Sequence, residues 1–117
     1  MTADLLFVGV ATADFAAAVP WYTVLLGRPA DVIVHDREVM WRVGDGGWLY
    51  LVEDPSRAGN ALVTVSVTDL DQILSEIVGR GVRRPAIETI EGAGRKAPFV
   101  DPEGNIVTFI QVLSPHA

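Results

Sequence analysis

Two stretches of the chain repeat one pattern of apolar and polar positions. VGVATADF (residues 8–15) aligns without a gap to VTVSVTDL (residues 63–70). Each reads as an alternating strand that closes on a helix-start signal, Thr12-Ala13-Asp14 in the first and Thr68-Asp69 in the second. Asp14 and Asp69 are predicted N-caps, because a carboxylate there accepts from the free N–H groups of the first turn. The helix after Asp69 has a clean apolar face, with Leu70, Ile73, Leu74, Ile77 and Val78 at helical spacing, and it ends at Gly79 or Gly81. The helix after Asp14 ends at Gly27. Pro20 lies inside it, which predicts a kink or a restart just before Trp21 and Tyr22.

Short extended stretches follow each helix. In the first half they are Asp31–Asp36, Glu38–Val43 and Trp48–Glu53, the last two joined by Gly44-Asp45-Gly46-Gly47, a strong hairpin signal. In the second half they are Ala86–Glu91, Arg95–Asp101 and Asn105–Val112. Pro, Ser, Gly and Asn cluster in Asp54–Asn60, which reads as the linker. The expected architecture is a single domain over 1–117, built from a βαβββ module at about 4–53, a linker at about 54–60 and a second module at about 61–113. Such a duplication gives an α+β fold of two curled mixed sheets with helices on the outer face. The other sheet face is left lining a cup. In the closing strand, Ile106, Thr108 and Ile110 share one face, and Thr108 stands alone as a polar residue between two isoleucines.

Composition narrows the function classes. The chain has 117 residues, half of them hydrophobic, enough for one domain with a real core. Its net charge of -6 argues against nucleic acid as a partner, since phosphate binding needs clustered Lys and Arg. The local pairs Arg83-Arg84 and Arg95-Lys96 read as solvated loops. There is no Cys, hence no disulfide, thiolate metal site or thiol nucleophile. The first residues show no basic leader, and no apolar run is long enough to span a membrane, so a soluble cytoplasmic protein is expected.

Three segments carry a family resemblance. VATADFAAAVPWYTVLLG, VSVTDLDQILSEIVGRGV and PFVDPEGNIVTFIQV together span nearly the whole chain. They resemble the two half-repeats and the closing "DPxGN" hairpin of the vicinal oxygen chelate, or glyoxalase/bleomycin-resistance, superfamily. That superfamily includes metal-dependent lyases, isomerases, dioxygenases and thiol transferases, and also metal-free drug-binding resistance proteins. The enzymes usually hold a metal with His or Glu at four strand positions. By the resemblance, those positions fall here on Phe7, Tyr50, Leu62 and Thr108. Phe and Leu offer no donor, and neutral Tyr and Thr are poor ligands, so neither a metal nor any other cofactor is expected. The resemblance also implies a homodimer.

Strand alternation then sorts the cup-facing residues. Leu5 and Gly9 go with Phe7, Trp48 and Val52 with Tyr50, Thr64 and Ser66 with Leu62, and Ile106 and Ile110 with Thr108. Trp41 is a further candidate from the third strand. The candidate ligand-binding set is therefore Phe7, Gly9, Trp41, Trp48, Tyr50, Leu62, Thr64, Ser66, Thr108 and Ile110. Aromatic walls with a few hydroxyls suit a flat or hydrophobic small molecule. The same residues could instead fill a second core or form an interface. Candidates for proton transfer are Glu53 and His35, while His116 lies in the tail. The resulting expectation is a metal-free binding protein that sequesters an aromatic, hydrophobic or cationic natural product such as an antibiotic, with no catalytic residue assigned. The alternatives are a lyase-, isomerase- or dioxygenase-like enzyme of this fold with a non-standard site, and a domain acting through a protein contact.

Overall fold

The computed structural model describes residues 1–113, so His116 lies outside the described residues. The first module comprises β1 (Leu6–Thr12), α1 (Phe15–Leu26), β2 (Val32–His35), β3 (Glu38–Val43) and β4 (Gly47–Glu53). A single 3-10 turn, Pro55–Arg57, marks the linker. The second module comprises β5 (Leu62–Ser66), α2 (Leu70–Gly79), β6 (Glu88–Ile90), β7 (Gly94–Val100) and β8 (Ile106–Val112). The two four-stranded mixed sheets have the orders β1-β4-β3-β2 and β5-β8-β7-β6, the same order twice. The duplicated α+β reading therefore holds.

Alternation decides which face of each strand meets the helices. Val10 and Thr12 of β1, Val39 and Trp41 of β3, and Leu49 and Leu51 of β4 are buried on the helix side of the first sheet. Val63, Ala97, Phe99, Val107 and Phe109 are buried on that side of the second. From α1 come Ala18, Tyr22 and Leu25, and from α2 Leu70, Leu74 and Ile77; both sets follow the i, i+4, i+7 spacing of one helix face. The second sheet's short edge strand has a chemical cause. β6 pairs with β7 only as far as Lys96, two residues before Pro98, whose nitrogen carries no hydrogen for a further partner.

Pro20 does not restart the first helix, which runs unbroken from Phe15 to Leu26. The carbonyl of Ala16 loses its usual donor, but Ala16 is exposed and water can replace it. Tyr22 and Leu25, both buried beyond the proline, hold the later turns against the sheet. Gly27 closes α1 in the left-handed region at φ 81, with its N–H donating to the Thr23 carbonyl. Arg80, the cap of α2, donates to the carbonyls of Val24 (2.6 Å) and Leu25 (2.9 Å) and so closes the first helix from the second module.

The β7–β8 turn, Asp101-Pro102-Glu103-Gly104-Asn105, ties the modules together. Buried Asp101 accepts from the Tyr22 hydroxyl (2.8 Å), the backbone N–H groups of Glu103 and Asn105, and the Asn105 amide (2.9 Å). Asn105, fully buried, also accepts from the Ala61 N–H (2.9 Å) and donates to the Ala11 carbonyl (3.1 Å). Glu103 accepts from the Thr12 hydroxyl and from the N–H groups of Ala13 (2.7 Å) and Asp14 (3.0 Å), at the entrance to α1. Burial, then the bond to Asp101 and its charge, drive the Tyr22 phenol far above its ordinary range, so it stays a donor.

Two outcomes test this junction. Tyr22→Phe leaves a buried carboxylate one donor short, and urea unfolding should show a loss of about 1–3 kcal/mol. Glu103 is held below the usual carboxylate range by the Ala13 N–H first and the Thr12 hydroxyl second. Its contribution to stability is therefore complete above the unfolded-state value of 4.5 and is lost as pH falls through the lower folded-state value. Thermal melts from pH 6 down to pH 3 (about the range spanning ordinary carboxylate pKa values) should fall less steeply for Glu103→Gln than for the parent. Parallel curves would remove Glu103 from the junction.

Candidate functional site

The faces turned away from the helices carry most of the expected site residues. On the first sheet the registers Phe7↔Trp48 and Gly9↔Tyr50 set two cross-strand rows. The Phe7 and Trp48 rings stack at 6.3 Å between centroids and 11° between planes. Phe7 keeps 49% of its surface exposed, so this pair covers no core. In the next row the Tyr50 ring lies across Gly9. A Cβ at position 9 would collide with that ring, so the absence of a side chain there is what lets it lie flat over β1.

On the second sheet Thr64 pairs with Thr108, Ser66 with Ile110, and Leu62 with Ile106, all on the open face. Thr108 and Ile110 are half-buried, Thr64 and Ser66 exposed, and Leu62 is 82% exposed. The ten expected residues therefore do not converge on one point. Trp48, Thr64 and Ser66 border a hollow of about 450 Å³, where the starts of β1 and β4 meet the end of β5. Leu6, Val8 and Val65 complete much of its wall. Phe7 adjoins it through its stack on Trp48. Tyr50 and Gly9 lie one row further along, Thr108 and Ile110 on the next strand, and Leu62 at the far end of β5.

The hollow has a definite place in the fold. β1 and β5 are edge strands of separate sheets with no ladder between them. Asn105 binds Ala11 and Ala61 and so draws the end of β1 to the start of β5. At the other end, around Leu6 and Ser66, no such bridge exists among the described residues, and the seam opens into the hollow.

Trp41 is a correction. It is fully buried on the helix side, tilted against Tyr22 at 6.2 Å, with its indole N–H donating to the Arg28 carbonyl (2.9 Å). Register explains the placement: Trp41 lies opposite core-facing Leu49. By the same register Met40 lies opposite Tyr50 and Arg42 opposite Trp48, so β3 contributes these two residues to the open face instead. The sequence signal was the Gly44–Gly47 hairpin, since pairing Val43 with Gly47 across it dictates both partners.

Neither proton-transfer candidate lines the hollow. Glu53 has the strand parity of Leu49 and Leu51 and is exposed at the end of β4. His35 is exposed at the end of β2, where pairing with Glu38 sets it at the margin of the open face and its Nδ1 accepts from the Arg37 N–H (3.1 Å). Among the described residues no three His, Asp or Glu side chains converge as metal donors would, and no helix is long and apolar enough to cross a membrane.

No protein-family model matches the chain, and no curated protein matches it. Solved structures do. A glyoxalase/bleomycin resistance protein from Catenulispora acidiphila DSM 44928 superposes with a TM-score of 0.89 at 40% identity, over 95% of this chain and 100% of that one. TnmS3, an antibiotic binding protein from Streptomyces sp. CB03234, gives a TM-score of 0.74 at 24% identity over 96% of this chain and 98% of that one. A bleomycin-binding protein complexed with bleomycin gives 0.71 at 21% identity, over 95% and 98%. The last two share the fold. The first, with its much higher identity over its full length, goes further: this chain belongs to the glyoxalase/bleomycin resistance protein family.

Proposed function

We propose that the chain is a metal-free small-molecule-binding protein that acts in the cytoplasm by sequestering an aromatic or cationic natural product, with an antibiotic as the leading class. The observation that carries this reading is the exposed Phe7–Trp48 stack beside the 450 Å³ hollow, with Thr64 and Ser66 on its rim. A flat ring laid on such a surface removes on the order of 200 Å² of apolar area from water, worth about 5 kcal/mol before association costs. The hydroxyls supply sparse polar contacts that orient a guest. A net charge of -6 steers a cationic guest inward, while the aromatic walls serve a neutral polycyclic one equally. TnmS3 is itself described as antibiotic-binding, and another relative of this fold was solved with bleomycin, which supports the ligand class. Sequestration requires no proton transfer, and neither Glu53 nor His35 lines the hollow.

Fluorescence titration tests this. Flat polycyclic antibiotics and bleomycin are titrated separately against the purified protein. Quenching is expected from at least one, and Trp48→Ala should abolish most of it and weaken binding by about tenfold or more. Quenching that survives in Trp48→Ala places the guest elsewhere. Stoichiometric metal in the purified protein, with an activity lost on chelation, would overturn the metal-free reading.

The working unit in this proposal is a homodimer. Leu5 (43% exposed), Leu6 (65%) and Phe7 (49%) form a consecutive run of exposed large apolar side chains at the start of β1, a continuous surface that a second chain would cover. Sedimentation equilibrium at micromolar concentration is expected to give twice the chain mass. A single-chain mass across the whole range would remove the dimer from the reading.

A further inference from the structure

A second hollow, about 860 Å³, is bordered by α1, on the helix side of the fold, and shares no lining residue with the stacked aromatic pair. Helix α1 forms one wall, the segment between α2 and β6 the other, and the end of β7 contributes the floor. α1 has no charged residue in FAAAVPWYTVLL, so the side it turns away from the core is also apolar. Pro20 and Trp21 lie on that side, with Val82 and Pro98 across from them. Trp21 is half-buried and meets Tyr22 edge-on at 4.9 Å, which fixes the orientation of its ring. No Asp or Glu borders this cleft, although the chain as a whole is acidic.

Arg83 and Arg84 do border it. The chain has nine Lys and Arg. Arg28, Arg37, Arg57, Arg95 and Lys96 are each paired with a carboxylate. Arg42 donates to the Gly44 and Asp45 carbonyls, and Arg80 to those of Val24 and Leu25. Arg83 and Arg84 alone make no ion pair or hydrogen bond among the described residues. These two cations, unengaged among the described residues, are thus neighbours in the sequence and both border the 860 Å³ cleft. Two guanidinium forks beside a held indole form a recognition set for an anion carried on a ring, because the forks bind carboxylate or phosphate oxygens while the ring stacks.

We propose that this cleft binds a small aromatic carboxylate, with Arg83 and Arg84 holding the anion and Trp21 and Pro20 packing against the ring. This site is separate from the open-face site proposed for sequestration and does not depend on that reading.

The test uses 1-naphthoate as probe, followed by indole fluorescence at low salt, with neutral 1-naphthalenemethanol as its uncharged counterpart. Saturable binding below about 1 mM is expected. Arg83→Gln/Arg84→Gln should weaken it by about tenfold or more, and raising salt should weaken it progressively. Both arginines are exposed, so the double variant is expected to fold as the parent does. Trp21→Leu should remove most of the ligand-induced fluorescence change and weaken binding, which places the ring in this cleft. Three results would each overturn the proposal: no saturation by 1-naphthoate, equal affinity for the neutral alcohol, or an affinity indifferent to the arginine pair.

Discussion

A buried carboxylate and a buried amide hold this molecule's halves in register. Each module builds its own sheet, and no strand of one pairs with a strand of the other. Asp101 and Asn105 meet each other and then reach three separate segments: α1 through Tyr22, the end of β1 through Ala11, and the start of β5 through Ala61. Placing a carboxyl group at 5% exposure is tolerable only because donors surround it. Here four donors do so, and no buried side-chain nitrogen or oxygen among the described residues lacks a partner. The turn residues are thus required by the architecture itself, before any ligand is considered.

Around that junction the two helices are secured from outside their own sequences. Glu103 receives the donors at the start of α1, and Arg80 fills the acceptors at its end. α2 is treated similarly at its start, where the Leu70 N–H donates to the Gln111 side chain (2.8 Å). These groups satisfy helix termini that local sequence leaves open. They also explain how a helix with an internal proline and no charge of its own stays in one piece.

Much of this architecture was legible because the duplication repeats local signals. Strand alternation, the carboxylate caps at Asp14 and Asp69, and the Gly44–Gly47 hairpin all act within a few residues of one another, and the caps accept from Ala17 and Gln72 as their positions require. What escaped depends on distance or register. Pro20 reads locally as a break, and only packing of Tyr22 and Leu25 overrides it. Trp41 looks like a site aromatic until its strand is paired, when its position opposite Leu49 sends it inward and brings Met40 outward. Arg80 looks like any surface cation near a helix end, since the carbonyls it serves lie more than fifty residues earlier. For the open face, alternation assigned a side to each residue, but the spacing along the strands, and hence which of them share a hollow, came only with the relative placement of β1 and β5.

The seam between those two edge strands has a mechanical meaning. Asn105 bridges the two strands at one extremity, a natural pivot, and no bond joins them at the other among the described residues. β1 is seven residues long, so the arm measures about 20 Å. Turning one module about the pivot by about 3° would move the free tips apart by about 1 Å over that arm. No ladder bond need break for this, because none crosses the gap. Such a turn would instead strain the Arg80 bonds to Val24 and Leu25, which also cross between the modules, so the width of the mouth is set by polar contacts far from it as much as by its lining.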